Sequence, residues 1–298
     1  MDHDSYDYKI AHDDFDPDSI YPEIITLGNQ LSEILTNHLT SPQEAAIDDF
    51  ILQTLARMVY GSNMIEKAGN YFDITSKLCC AIFRGEEVPE IEERDPEYQK
   101  MKEYLISKSL PADTSAVLRS RREIIQHAKA AAFMIDQLCI HNQSLSEAII
   151  LETHQILTHK IDAIDGTRTW QEYSGTYRTY EVSAGFHAFP APYFIDPIAL
   201  ASKYKHNFVN IHPFLDGNGR MCRLILNSML LGFGSFLVCI GEHGDDRLVY
   251  EIVACNGGAL EDMYEDADEK PKLYKELASL VLTHVKSGMT ELLNSMAK

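Results

Sequence analysis

The stretch His212-Pro213-Phe214-Leu215-Asp216-Gly217-Asn218-Gly219-Arg220-Met221-Cys222-Arg223 decides the reading of this sequence. Gly217-Asn218-Gly219 stands just before an apolar run that reads as a helix from about 219 to 232. Glycine and asparagine tolerate the dihedrals that turn successive backbone N–H groups toward one point, and a helix N-terminus adds its dipole, so the segment is built to hold an anion. Arg220 and Arg223 are three residues apart and share a face of the first turn. Cations there oppose the helix dipole, an arrangement that makes sense around an anion. Asp216, beside a phosphate cradle, is a natural ligand for Mg²⁺ (or Mn²⁺), because Mg²⁺ takes one or two carboxylates together with phosphate oxygens. His212, at the mouth of the loop, accepts a proton near neutral pH. Singly, a histidine before proline or a Gly-Asn-Gly turn reads as ordinary packing. Base, carboxylate, glycine nest and two arginines within one short segment do not. Phe214 reads as the loop's anchor in the core.

Outward from the loop the text is helical. Helices are expected over Pro197 to Asn210, about 245–263 and about 271–296. Upstream, Val117, Ile124, Ile125, Ala128, Ala132, Ile135 and Leu138 recur at helical spacing between 113 and 141. Ser144 with Glu147 reads as the capping box of a further helix whose Ile149, Ile150, His154 and Leu157 face the core. Between Gly166 and Pro192 the β-formers Tyr177, Tyr180, Val182 and Phe186 predict a short hairpin or flap. Helical text also covers about 26–83. The expected organisation is an acidic flexible tail over 1–20, an N-terminal helical region over 21–85, a linker over 86–112 and a larger helical unit over 113–298. The fold class is all-α with one short β-hairpin flap.

Composition narrows the function. With 26 Lys+Arg against 45 Asp+Glu, the net charge is −19, which disfavours nucleic acid and anionic membrane as partners. A site for a phosphorylated ligand must therefore concentrate positive charge locally. The six cysteines form no C-x-x-C pair and lie in apolar text, as reduced thiols do. The first twenty residues lack the apolar centre of a signal peptide. The longest apolar run, Met229 to Ile240, is broken by glycines and is shorter than the roughly 20 residues that span a bilayer. A cytoplasmic or nucleocytoplasmic protein is expected.

The 212–223 loop matches H-x-F-x-[DE]-G-N-G-R-x-x-R at every specified position. That pattern is the signature of Fic proteins, and the resemblance extends over about 113–268. Gly175-Thr176-Tyr177-Arg178, followed by Val182, Gly185, His187 and Pro190, resembles the segment that forms the family's flap. The resemblance implies a helical Fic core that transfers AMP from Mg·ATP to a Ser, Thr or Tyr hydroxyl of a target protein. By that resemblance His212 is the base, Asp216 the metal ligand, Gly217, Asn218 and Gly219 the phosphate nest, and Arg220 and Arg223 its cationic clamp. Val182, Ser183, Ala184 and Gly185 would offer a strand edge to the target, and Asn256 would contact adenine.

Gly61-Ser62-Asn63-Met64-Ile65-Glu66-Lys67 resembles the family's inhibitory helix motif, [ST]-x-x-x-E-[GN], through Ser62 and Glu66, and departs from it at Lys67. The resemblance implies that Glu66 pairs with Arg223 and takes the place of the ATP γ-phosphate, and that Glu66 also serves the reverse reaction, removal of AMP from the target. The plain alternative is a surface glutamate paired with Lys67 or Lys77. Two other readings stay open: a transferase using another donor, such as UMP transfer, and a nucleotide-binding regulator without turnover. A homodimer is also left open.

Overall fold

The structure, a computed structural model, describes residues 5–7, 16–37, 39–163, 168–177, 197–234, 236–263 and 273–296, apart from the side chains at 197, 233 and 255–263. The described residues form α1 (Pro17–Thr36), α2 (Ser41–Ile65), α3 (Phe72–Phe83), α4 (Pro96–Ser107), α5 (Thr114–Ile135), α6 (Glu147–Leu157), the single turn α7 (Trp170–Tyr173), α8 (Pro197–Ile211), α9 (Asn218–Gly234), α10 (Gly244–Met263) and α11 (Lys275–Met296), with a π-helical turn at Asp136–Ile140 after α5.

The placement of α9 explains the architecture. Its text, Met221-Cys222-Arg223-Leu224-Ile225-Leu226, is apolar nearly all round, and such a helix must be enclosed. Met221, Leu224 and Ile225 enter one core with α2 to α6. Leu226 and Leu230 enter a second core with α1, α8, α10 and α11. The polar groups that α9 carries, Arg220, Arg223 and Asn227, are buried with it. Each needs a partner, because an unpaired buried polar group is costly.

Several local expectations change. Helix α6 starts at Glu147, not after Ser144: the Ser146 hydroxyl accepts the Ile149 N–H, and Ser146 is the cap. The shift puts Leu145 and Ile150 at the two positions of a hydrophobic staple, and both pack on the first core. The stretch 86–112 contains α4, whose Tyr98, Met101, Tyr104 and Leu105 are buried. Asp95-Pro96 starts it, with proline at the first helical position. At the N-terminus Tyr6 is buried in the second core, and the Asp7 N–H donates to Ser279 Oγ at 2.9 Å. No strand is present among the described residues, and within 166–192 Trp170–Tyr173 is helical. Val182, Ser183, Ala184 and Gly185 lie outside the described residues. Among the described residues no helix is long and apolar enough to cross a membrane.

Candidate active site

The loop between α8 and α9 is shaped by its own side chains. His212 follows the last residue of α8 with φ +49°, in the left-handed region, which for a non-glycine residue costs roughly 1–2 kcal/mol. Pro213 cannot continue the helix, so the chain turns there. The His212 N–H donates to the Phe208 carbonyl at 3.1 Å, and Nδ1 lies 3.3 Å from the Val209 carbonyl. In the neutral ring that contact places the proton on Nδ1 and the lone pair on Nε2. Asn218 then closes the loop: its Oδ1 accepts the Phe214 N–H at 2.9 Å and its Nδ2 donates to the Phe214 carbonyl at 2.7 Å. Gly217, at φ +83°, supplies the backbone reversal that starts α9. Its carbonyl accepts the Met221 N–H. The N–H groups of residues 218–220 are left without intrahelical acceptors, as at every helix start.

Positive charge gathers here against the acidic whole. Arg223 is buried and donates through Nε to Ser62 Oγ at 2.7 Å, through Nη2 to the Ser62 carbonyl at 3.0 Å and to Glu66 Oε1 at 2.6 Å, and through Nη1 to Tyr250 Oη at 3.4 Å. Lys205, fully buried on α8, sets its ammonium 4.6 Å from the centre of the same Tyr250 ring. Arg220 is equally buried, yet among the described residues its Nε and Nη1 have no hydrogen-bond partner. Its Nη2 lies 3.6 Å from Asp216 Oδ1. A buried guanidinium with two nitrogens unpartnered among the described residues, beside a helix N-terminus, is a place for an anion.

The carboxylate of Glu66 reaches into this field. Burial pushes its pKa up, but the charge and hydrogen bond of Arg223, joined by Arg220 and His212, hold it below the usual carboxylate range. Its side chain is 35% exposed, so the pair lies at the edge of the site. The carboxylate rests on the backbone of Gly219, where a β-carbon would collide with it. Glu66 caps α2, and the chain beyond it makes a Schellman turn: Lys67 N–H to the Met64 carbonyl, Ala68 N–H to the Asn63 carbonyl, with Lys67 at φ +54°. A left-handed closing position favours Gly or Asn, which gives a physical reason for the residue type the motif specifies after its glutamate. Lys67 holds that position against strain. The turn is tied to α5, where Glu123 Oε2 accepts the Gly69 N–H at 3.1 Å and Ser120 Oγ donates to the Gly69 carbonyl at 2.7 Å. Lys77 pairs with Glu97 at 2.8 Å.

Asp216 Oδ1 accepts the Gly217 N–H at 2.6 Å. Among the described residues no group of three or more His, Cys, Asp or Glu forms a metal cage. One carboxylate beside an anion cradle suits Mg²⁺ that phosphate oxygens help to hold. Asn256 lies on α10, with its side chain outside the described residues. Lys205, Tyr250 and the bridging role of His154 were not singled out from the sequence. In the text Lys205 is one lysine among several, and His154 is a core-facing residue. The His154 ring stacks on Phe214 at 3.6 Å, accepts the Gly175 N–H at Nδ1 (3.0 Å) and meets the Asp216 carbonyl at Nε2 (2.9 Å).

Comparison with known proteins supplies the context. Residues 144–230 match the Fic/DOC family. A Fido domain-containing protein of Dictyostelium discoideum is 36% identical over 95 residues, 25% of this chain and 66% of that protein. The protein adenylyltransferase Fic of Aedes aegypti is 28% identical over 131 residues, 38% of this chain and 25% of that protein. Its counterpart in Drosophila yakuba is 27% identical over 128 residues, 37% of this chain and 24% of that protein. The match thus spans about a quarter of the insect relatives' length. Among solved structures, a Fic domain containing signaling protein from Bacteroides thetaiotaomicron superposes with TM-score 0.60 at 15% identity, covering 94% of this chain and 96% of that one. Fic-1 (residues 134–508) from C. elegans superposes with TM-score 0.58 at 19% identity, covering 94% and 73%. These likenesses give the chain the mainly helical Fic fold.

Proposed function

Starting from a chain that carries a Fic/DOC domain over residues 144–230, we propose that it is a protein adenylyltransferase, moving AMP from ATP to a Ser, Thr or Tyr hydroxyl of a target protein, with Glu66 as an internal brake. The observation that carries this reading is Arg220: buried, with two guanidinium nitrogens unpartnered among the described residues, beside the start of α9. A phosphate chain satisfies those donors and the N–H groups of residues 218–220 together.

In the forward reaction the target hydroxyl oxygen attacks the α-phosphorus. The bond from that phosphorus to the oxygen bridging toward the β-phosphate breaks, and pyrophosphate leaves. His212 Nε2 takes the hydroxyl proton. Arg220 and the α9 N-terminus hold the phosphates in line, and Asp216 would hold Mg²⁺, which neutralises phosphate charge when bound. In the braked state Glu66 occupies the Arg223 fork and the space over Gly219. Because the Glu66 carboxyl stays ionised at neutral pH, it can also orient a water to attack the phosphorus of an AMP-modified side chain, breaking the bond from that phosphorus to the side-chain oxygen and releasing AMP and the free hydroxyl, so removal of AMP is the second reading.

The test is incubation of wild type and Glu66→Gly with a cell extract and, in parallel, ATP labelled at the α-phosphate, ATP labelled at the γ-phosphate, and labelled UTP. Label transferred to protein from α-labelled ATP alone supports the proposal. Label from UTP, from the γ-phosphate or from no donor refutes it in favour of uridylyl transfer, phosphoryl transfer or a regulator without turnover.

A further inference from the structure

His154 is buried at the junction of three segments. It sits on α6, its ring lies parallel to Phe214 at 3.6 Å with an interplanar angle of 4°, and its edge faces Gly217. The Gly175 N–H donates to Nδ1 at 3.0 Å, so that nitrogen carries a lone pair and the proton sits on Nε2. Nε2–H then donates to the Asp216 carbonyl at 2.9 Å. A single neutral tautomer satisfies both contacts, and an imidazolium loses the first. Nearby, Thr158 Oγ1 and Ser174 Oγ meet at 2.7 Å, and Ser174 Oγ donates to the Gln155 carbonyl at 3.1 Å, fastening the segment before Gly175 to α6.

We propose that His154 is a positioning residue: one imidazole tautomer that fixes the Asp216–Gly217 peptide in register with the chain entering Gly175. The proposal rests on the transferase reading above. Asp216 and the first N–H groups of α9 flank that peptide, so its orientation sets where a metal ligand and phosphate donors point. A histidine serving only as core filler would owe its role to ring volume, and phenylalanine would replace it without loss of turnover. The hydrogen bonds predict otherwise.

Three variants in the Glu66→Gly background separate the two roles. His154→Phe keeps a ring against Phe214 and removes both hydrogen bonds. His154→Gln returns a donor near the position of Nε2, and His154→Asn returns an acceptor near the position of Nδ1. Misplacing a catalytic loop by an ångström costs about a hundredfold, so kcat for AMP transfer should fall roughly ten- to a hundredfold in His154→Phe, with recovery in His154→Gln well above that in His154→Asn. Full turnover in His154→Phe, or no recovery by glutamine, overturns the proposal. Imidazole ¹⁵N spectra of the wild-type protein at pH 7 give a second reading that needs neither variant nor activity: His154 should show the Nε2–H tautomer alone. The Nδ1–H form or a mixture overturns the proposal. If the Glu66→Gly parent transfers no AMP, the transferase reading fails, and the tautomer still decides the clamp.

Discussion

The carboxylate of Glu66 lies against the backbone of Gly219, so close that a β-carbon there would overlap Oε1. Two awkward helix ends meet at this point. α2 carries a negative charge at its C-terminal end and α9 carries Arg220 and Arg223 near its N-terminal end, each opposing its own helix dipole. Brought together, the carboxylate faces the α9 N-terminus and the arginine fork, and the opposed charges offset one another. A phosphate chain would compete for the same ground.

Replacing Glu66 with Gly should raise AMP transfer, including self-modification, by about tenfold or more, the equivalent of about 1.4 kcal/mol or more of released competition. The same change should slow any removal of AMP from a modified target. Labelled-AMP incorporation by wild type and Glu66→Gly checks this. Equal incorporation returns Ser62 to Lys67 to the status of an ordinary helix end.

Gly219→Ala should displace the Glu66 carboxylate and destabilise the fold. If the collision with Glu66 is the cause, the loss should shrink when Gly219→Ala is made in Glu66→Gly. Residues in direct contact couple by roughly 0.5–3 kcal/mol in such a cycle. Urea unfolding of the four proteins measures the coupling, and strict additivity would show that the crowding at Gly219 does not involve Glu66.

Lys67 closes α2 at φ +54°. Lys67→Gly should stabilise the protein by about 0.5–1 kcal/mol, the relief of left-handed strain less the added freedom of the unfolded chain. Lys67→Val, β-branched at the same dihedral, should destabilise it. Neither change removes the Glu66–Arg223 pair, so the low basal transfer of a braked enzyme should persist. Unfolding midpoints in urea give the sign, and loss of stability in Lys67→Gly would refute the strain.

His212→Ala should lower AMP transfer by about 10²–10⁴-fold, the usual weight of a general base, while ATP binding survives, because the imidazole handles a proton and the arginines hold phosphate. Asp216→Ala or EDTA should remove activity through the metal. Calorimetric ATP titrations beside transfer rates, with and without Mg²⁺, check both. Wild-type transfer in either variant, or in EDTA, would remove that residue from the mechanism.

His127 gives a pH dependence. Its ring is buried on α5 beside Asn63, with Nδ1 2.8 Å from Asn63 Oδ1. Burial first, then the charges of Arg220 and Arg223, hold its pKa well below 6.5. A histidine with a depressed folded pKa stabilises above its unfolded pKa and loses that contribution as pH falls, because the unfolded chain takes up the proton first. The stability due to His127 should therefore fall by up to about 1.4 kcal/mol per pH unit below about 6.5. The difference between wild type and His127→Gln in urea unfolding at pH 7.5 and 5.5 isolates it from the carboxylates. An equal acid loss in both proteins would show that His127 titrates freely.

The sequence by itself determined the helical class and marked the segment that carries the candidate chemistry, because these are local. Spacing sets which side chains share a helix face, and glycines mark where the backbone reverses. It also carried a trace of α4 in Asp95-Pro96, masked by the charged text around it. Only the tertiary structure decided the rest. The Glu66–Arg223 pair was implied by the motif resemblance alone; that Glu66 also rests on Gly219 depends on how α2 packs against α9 across more than 150 residues of chain, and no local rule encodes that distance. The strain at Lys67 depends on the turn that seats α2 on α5. The sequence shows His154 as one apolar-face histidine among buried neighbours, and Lys205 as one of many lysines on an acidic protein. They joined the candidate site when folding placed one between Gly175 and Asp216 and the other against Tyr250, where burial makes each polar contact count.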